Sequence, residues 1–229
     1  MKKNAVIIGI FFGAVLSGSV AHAHASIASG PAFANTSQEV AFGIGHGCNG
    51  ADTYRVRVEV PASVTSIRPM TSDFGRAAVE KNTDGKIVAI SWKKPDANAL
   101  DADDNYYKLV VRMKVPNAPF TQIYWKVYQT CRAADSTLTT TNWTTMPGET
   151  EGEPAAALTI LPTRLTGWNQ YTVPMDITDL SVFFKDAQIV WRGAAAYSFN
   201  ANTTQLINGT PDVTALTELH ANDVIWVRY

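Results

Sequence analysis

A histidine directly follows a segment that has the features of an export signal. The chain begins with a basic pair, Lys2 and Lys3, and an uncharged run over residues 5–20 comes next. Ala21-His22-Ala23 then places small residues at the two positions that a signal peptidase recognises. Cleavage after Ala23 makes His24 the first residue of the mature chain. Its free amine and its imidazole Nδ1 together can chelate a metal ion, and Cu(II) favours such nitrogen ligands.

The apolar run is about sixteen residues long, short of the roughly twenty that a permanent membrane helix needs. We therefore interpret residues 1–23 as a removed signal peptide, and we expect a periplasmic or otherwise exported protein. A second small-x-small site, Ala23-His24-Ala25, would leave Ser26 as the first residue. With that cleavage the mature chain would lose its terminal histidine, so both sites stay open at this point.

Two nitrogens from one residue do not complete a copper site. The other candidates are His46, which follows a predicted strand in Gly45-His46-Gly47-Cys48, and the neighbouring carboxylate Asp52. We expect His46 to lie beside the N-terminus if the first strand pairs with the second. The alternatives are a loop histidine held by backbone hydrogen bonds and a solvated carboxylate. His220 is expected to be a surface turn residue.

Two cysteines, Cys48 and Cys131, occur in this chain. In an oxidising compartment such an even pair predicts a disulfide. A bond closing so long a loop would stabilise the fold by roughly 4 kcal/mol. The alternative, a thiolate copper site, lacks the Cys-x-x-Cys spacing that would support it.

The charge of the chain is nearly balanced. The 229 residues include 19 basic and 20 acidic side chains, for a net charge of −1. This balance gives no reason to expect nucleic acid or an anionic membrane surface as a partner. The length fits one large all-β domain or a domain with a smaller companion.

Short runs rich in Val, Ile, Tyr and Trp, bounded by Gly, Pro and Asn or Asp, predict strands rather than helices. The clearest alternation of apolar and charged residues is at 54–60. The fold class predicted is mainly β, a β-sandwich with a small α+β C-terminal appendage. The strands expected in the sandwich are Gln38–Gly45, Thr53–Val60, Lys86–Trp92, Tyr106–Val115 and Thr121–Thr130.

The acidic stretch 147–154 carries Pro and Gly at its ends and has no apolar anchor. We therefore predict a sandwich over 24–147, a linker or exposed loop over 148–165, and an appendage of unknown role over 166–229. In the appendage we expect strands at 187–191 and 224–227. A helix is expected near 203–207, with Asn202 as its cap.

Several motifs together resemble the YcnI-like copper-binding domain family, in the version common in Gram-negative bacteria. The similarity covers a little over half of the mature chain and ends near Trp143 and Pro147. The segments that carry it are His24-Ala25-Ser26, Gly45-His46-Gly47-Cys48-Asn49-Gly50-Ala51-Asp52-Thr53, Ile67-Arg68-Pro69-Met70, Ile90-Ser91-Trp92 and Tyr124-Trp125-Lys126-Val127-Tyr128-Gln129-Thr130-Cys131.

This resemblance implies a β-sandwich that binds one Cu(II) through the amine and imidazole of its N-terminal histidine. It also implies a nearby carboxylate and a tryptophan packed over the metal. His24 matches the histidine and Trp125 matches the tryptophan, which can equally be a core aromatic between the sheets. The family's glutamate is missing near 46–48, which makes His46 its substitute.

We therefore expect a non-enzymatic, exported Cu(II) carrier or buffer. Its partners would be the copper ion and another copper-trafficking protein or a membrane copper transporter. The alternatives are an exported β-sandwich for adhesion or assembly, and a copper monooxygenase with a second histidine in its brace. A copper carrier of the CopC type would need an Asp-x-His tripeptide, which this sequence lacks.

Overall fold

Alternating side chains build the first part of the chain into a two-layered β-sandwich, as a computed structural model of residues 25–103 and 105–229 describes it. Along the strand 107–114, Leu109, Val111 and Met113 are buried, while Lys108 and Arg112 between them are exposed. This period of two gives the strand one apolar face, which the opposite layer covers.

The sandwich strands follow one another through short turns. They are β1 (Ser26–Ile27), β2 (Ala32–Phe33), β3 (Ser37–Ile44), β4 (Asp52–Glu59), β5 (Thr65–Pro69), β6 (Ala78–Lys81), β7 (Ile87–Lys93), β8 (Tyr107–Lys114), β9 (Thr121–Trp125), β10 (Val127–Arg132), β11 (Leu138–Thr145), β12 (Glu153–Pro154) and β13 (Ala156–Leu161).

Within the described residues these strands form three sheets, in the orders β1-β3-β8-β5, β12-β11-β10-β4-β7-β6 and β2-β13-β9. All three contribute to one apolar core, which contains the fully buried rings of Phe42, Trp92 and Trp125. The mainly β sandwich predicted from the sequence is therefore confirmed.

The run predicted as a single strand over 121–130 is two strands. β9 pairs with β13 in one sheet, and β10 pairs with β4 and β11 in another. The chain changes sheets at Lys126, whose carbonyl oxygen accepts a hydrogen bond of 2.9 Å from the Glu59 amide. Periodicity alone misses the change because both segments carry the same residue types.

The predicted linker at 148–165 is a second difference. It contains β12, which pairs with β11, and β13, which pairs with β2 and β9. Leu158 and Ile160 of β13 are fully buried in the sandwich core. The acidic turn is therefore followed by a core strand, and the sandwich extends to Leu161 instead of ending at 147.

The elements of the C-terminal appendage are β14 (Trp168–Thr172), α1 (Ser181–Phe184), β15 (Ile189–Arg192), β16 (Ala195–Tyr197), α2 (Ala201–Gly209), β17 (Thr214–Ala215) and β18 (Val224–Arg228). The appendage has its own sheet, in the order β14-β18-β15-β16-β17, and its own apolar core. Phe120, from the turn before β9, packs into that core against Tyr171, Phe183 and Phe184. The α2 cap is Asn200 rather than the expected Asn202, since its side chain accepts the first free amides.

Neither helix in the described part of the chain has the length and apolar character required to cross a bilayer.

Replacing Leu158 by alanine tests the extended boundary of the sandwich. Because Leu158 is fully buried, we expect the free energy of unfolding to fall by about 2–5 kcal/mol in urea titrations. Leu138, which is 55% exposed on β11, is the matched control, and its change to alanine should cost less than about 0.5 kcal/mol. Equally small effects at both positions would mean that this segment behaves as a linker.

Candidate metal centre

The start of the described chain lies against the strand that leads into His46. Ser26 is paired with Gly43 and Ile27 with Phe42 in the antiparallel ladder of β1 and β3. Ala25, the first described residue, is buried in the sandwich core. The chain thus enters β1 at the same end of the sheet at which β3 ends. His24 and the predicted signal peptide lie outside the described residues.

His46 is exposed on the turn that follows β3. Its Nδ1 lies 2.5 Å from the carbonyl oxygen of Gly47. An Nδ1–H group that donates to this oxygen leaves Nε2 with its lone pair, which is the arrangement of many metal-binding histidines. Position 47 has no room for a side chain, since a Cβ atom there would lie 1.8 Å from the Ala51 carbonyl oxygen.

The side-chain amide of Gln129 is hydrogen-bonded to the backbone of this turn. Gln129 is buried on β10, and its Nε2 donates to the His46 carbonyl oxygen at 2.6 Å and to Thr53 Oγ1 at 2.9 Å. Its Oε1 accepts a hydrogen bond of 3.2 Å from the indole of Trp143. A buried amide with its donors and acceptor engaged fixes its neighbours in one geometry. The Gln-x-Cys motif of the sequence therefore positions His46.

The predicted disulfide between Cys48 and Cys131 is confirmed, with Cα atoms 5.7 Å apart. It joins the turn after His46 to β10, two residues beyond Gln129. The Cys48 amide and the Ala51 carbonyl, 3.2 Å apart, close a tight turn next to the bond. His46 is thus carried by a segment that is tied covalently to the sheet.

Asp52 does not face this exposed turn. Its carboxylate is fully buried, and Lys94 Nζ lies 2.6 Å from both oxygens. Tyr107 OH donates to it at 2.9 Å and the Leu100 amide at 3.0 Å. Both oxygens are therefore engaged inside the protein, and this geometry does not support the prediction that Asp52 is a metal ligand.

The Asp52–Lys94 pair is instead a structural element of this end of the sandwich. Lys94 is 4% exposed, and its ammonium group lies 4.3 Å from the Tyr107 ring centre and 5.2 Å from that of Phe74. Burial raises the pKa of Tyr107 above its ordinary value, so the phenol stays protonated and donates to Asp52. A charge removed from water requires such a complete set of partners.

A carboxylate that sequence reasoning missed contacts the histidine turn. The Gly47 amide donates to Asp103 Oδ2, and the Asp103 amide donates to the Gly50 carbonyl at 3.3 Å. Asp103 lies in the loop between β7 and β8, far from His46 in sequence. No local pattern could have indicated the contact, because only the folding of that loop brings it about.

Trp125 and His220, the two remaining residues discussed from the sequence, lie in different surroundings. Trp125 is fully buried at the end of β9 and meets Phe42 edge-on at 5.2 Å. Its indole Nε1 has no hydrogen-bond partner among the described residues. His220 lies in the appendage, where its ring nitrogens are 3.8 Å from Asp176 and 3.5 Å from Glu218.

Within residues 25–103 and 105–229, no group of three or more His, Cys, Asp or Glu side chains is arranged to hold a metal. His46 is the predicted ligand that this part of the chain presents at its surface. Cu(II) takes nitrogen ligands in tetragonal sets, so His46 alone would be an incomplete site. A copper centre here requires donors in addition to His46.

Comparison with known proteins adds a family and several similar folds. The profile described as "Domain of unknown function (DUF1775)" matches residues 24–160. No curated protein matches the chain. An uncharacterized protein from Nocardia farcinica with an immunoglobulin-like fold is 22% identical, with a TM-score of 0.46, over 57% of this chain and 92% of that one.

Two further solved structures are similar at lower identity. A cohesin module from a family 33 glycoside hydrolase of Clostridium perfringens is 12% identical, with a TM-score of 0.33, over 58% of this chain and 91% of that one. The major pilin subunit of Bacillus cereus is 13% identical, with a TM-score of 0.35, over 87% of this chain and 52% of that one.

Replacing Lys94 by methionine tests the structural role of Asp52. Since the substitution leaves a buried carboxylate without its counter-charge, we expect a loss of about 3–5 kcal/mol in urea unfolding. Adding Asp52→Asn should recover part of that loss, because the unpaired charge is then gone. Lys93→Met is the matched control: its side chain is 57% exposed, and we expect a change below about 1 kcal/mol. If Asp52→Asn weakened Cu(II) binding and left stability unchanged, Asp52 would be a ligand after all.

Proposed function

Because the chain belongs to the DUF1775 family, which is the YcnI-like domain that its motifs predict, we propose that it is an exported protein that binds Cu(II). In this proposal His24 is the first ligand, His46 is the second, and the protein carries or buffers copper in the periplasm. The family match begins at residue 24, the position where the predicted mature chain starts.

The observation that carries the proposal is the pairing of β1 with β3. Residues 26 and 27 are opposite 43 and 42, so the described chain begins at the end of the ladder that adjoins Ile44. The His46 turn begins directly after Ile44. In this proposal the free amine and the imidazole of His24 share one metal ion with His46.

The position of the His46 ring favours the same function. An Nδ1–H group that donates to the Gly47 carbonyl would fix the ring orientation and leave Nε2 for a metal. Together with the amine and Nδ1 of His24, this gives three nitrogens, a set that suits Cu(II). Asp52 is left out of the ligand set, since its carboxylate is bonded to Lys94.

The exposure of the site favours a carrier or buffer over an enzyme. His46 lies at the surface, where another protein's ligands can replace it and take over the ion. Gln129 and the disulfide attach the His46 turn to the sheet, and they would keep this ligand in place without enclosing the metal. Trp125 belongs to the same core cluster as Ala25, and in our proposal its indole forms the inner wall of the site.

The disulfide also fits the proposed location. Such bonds persist in oxidising compartments and are rare in the reducing cytosol. The Cys48–Cys131 bond joins two segments of the family domain that are 83 residues apart. An exported β-sandwich agrees with this chemistry, and the periplasm is the compartment that we propose.

The N-terminal chelate can be tested with the mature chain prepared to start at His24. Acetylation of its α-amine removes one ligand and breaks the chelate ring, so we expect Cu(II) affinity to fall at least about 100-fold in competition titrations. His24→Ala should give a similar loss. Equally tight binding by the free and the acetylated chains would exclude the N-terminal site.

The second ligand has a separate test. His46→Ala should weaken Cu(II) binding about 10- to 100-fold and reduce the nitrogens seen in electron paramagnetic resonance spectra from three to two. His220→Ala is the matched control, because His220 is also an exposed turn histidine but lies in the appendage. An unchanged spectrum for His46→Ala would contradict its role as a ligand and leave the N-terminal chelate standing.

A further inference from the structure

The six tryptophans of the chain divide into two groups. Trp92, Trp125 and Trp143 are buried in the sandwich core, whereas the other three lie on the appendage sheet. Trp168 is 49% exposed and Trp226 is 48% exposed. Exposed indoles of this size are unusual on a soluble surface and mark a binding face when they are contiguous. This segment lies outside the family match, so the family does not account for it.

Strand register brings these three rings together. Trp191 of β15 is directly opposite Trp226 of β18. On the other side of β18, Trp226 is opposite Gln170 of β14, and Trp168 is opposite Arg228. Directly opposite side chains on one face are about 5 Å apart and diagonal ones about 7–8 Å. The three indoles therefore form one aromatic surface across β14, β18 and β15, while Ile225 and Val227 face the core.

The polar groups on this face limit the ligand. The outward positions of the three strands are Trp168, Gln170, Thr172, Val224, Trp226, Arg228, Ile189 and Trp191, and they include no carboxylate. The Arg228 guanidinium lies 5.9 Å from the Trp168 ring centre. A quaternary ammonium group, which also favours aromatic surfaces, would be repelled by this fixed positive charge. A neutral or anionic ligand is favoured.

The dimensions of the face indicate a ligand smaller than a protein surface. Trp168, Trp191, Gly193 and Trp226 line an open cavity of about 410 Å³, within the ~300–1,000 Å³ range of sites for small ligands. A protein partner of ordinary size buries about 800 Å² on each side. Three rings around a shallow cavity supply only part of such an area, and fit a chain of small flat units better.

A sugar ring has the matching chemistry. One face of a pyranose consists of C–H groups that are removed from water when they stack on an indole. Its rim carries hydroxyls, for which the Gln170 amide, the Thr172 hydroxyl and the Arg228 guanidinium are suitable partners. We propose that this tryptophan face, Trp168, Trp191 and Trp226, binds a neutral or acidic polysaccharide and so attaches the protein to a glycan.

The metal-free mature chain and three soluble probes test this: cellohexaose, chitohexaose and hexagalacturonate. In NMR spectra of the six indole N–H groups, binding should shift the signals of Trp168, Trp191 and Trp226. The signals of the three core tryptophans serve as internal controls and should stay in place. Trp226→Ala should weaken binding at least about tenfold, since it removes the central stacking surface, whereas Trp226→Phe should retain most of it.

Phe199→Ala is the matched control. Phe199 is an aromatic residue of the appendage that is 59% exposed and does not line the cavity, so its loss should leave binding unchanged. Circular dichroism of each variant checks that it is folded. No shift with any of the three probes at millimolar concentration would overturn the proposal. Shifts of the same three indoles by lipid vesicles or by rising protein concentration, without a response to the sugars, would also overturn it.

Discussion

The covalent bond between Cys48 and Cys131 is the constraint on which the arrangement at the histidine end of the sandwich depends. It joins the turn after β3 to β10, and the Gln129 amide two residues earlier bonds to the carbonyl of His46. An exposed turn with two glycines around a histidine would otherwise sample many conformations. With both attachments in place, the turn can present a side chain in one orientation without burying it.

Two polar networks share this end of the sandwich and do different work. The Asp52–Lys94–Tyr107 network is buried, and its carboxylate and ammonium groups neutralise each other inside the protein. The Gln129 network instead reaches a residue at the surface. Their separation explains how a chain can carry an acidic residue so near in sequence to a proposed ligand without using it there. Separating a buried carboxylate from its ammonium partner would leave an uncompensated charge inside the protein, which is strongly unfavourable.

The two domains use aromatic residues in opposite ways. The sandwich places its three tryptophans in the core, where Trp92 and Trp125 fill the space between the sheets around Phe42. The appendage fills its core with phenylalanine, leucine and valine, and displays its tryptophans instead. Phe120 links the two, because it leaves the sandwich and packs among the appendage rings.

Local pattern alone determined much of this protein. Short runs rich in Val, Ile, Tyr and Trp, bounded by Gly, Pro and Asn or Asp, located β3, β4, β7 and β8 to within a residue. The cysteine pair and the family motifs were also evident in the sequence. What only the tertiary structure decided were contacts between distant segments: the change of sheet at Lys126, the burial of β13, the pairing of Asp52 with Lys94 and the contact of Asp103 with Gly47. The same holds for the tryptophan face, whose members come from three strands. Such choices depend on which partner the fold brings near, and a residue's type and local neighbours do not carry that information.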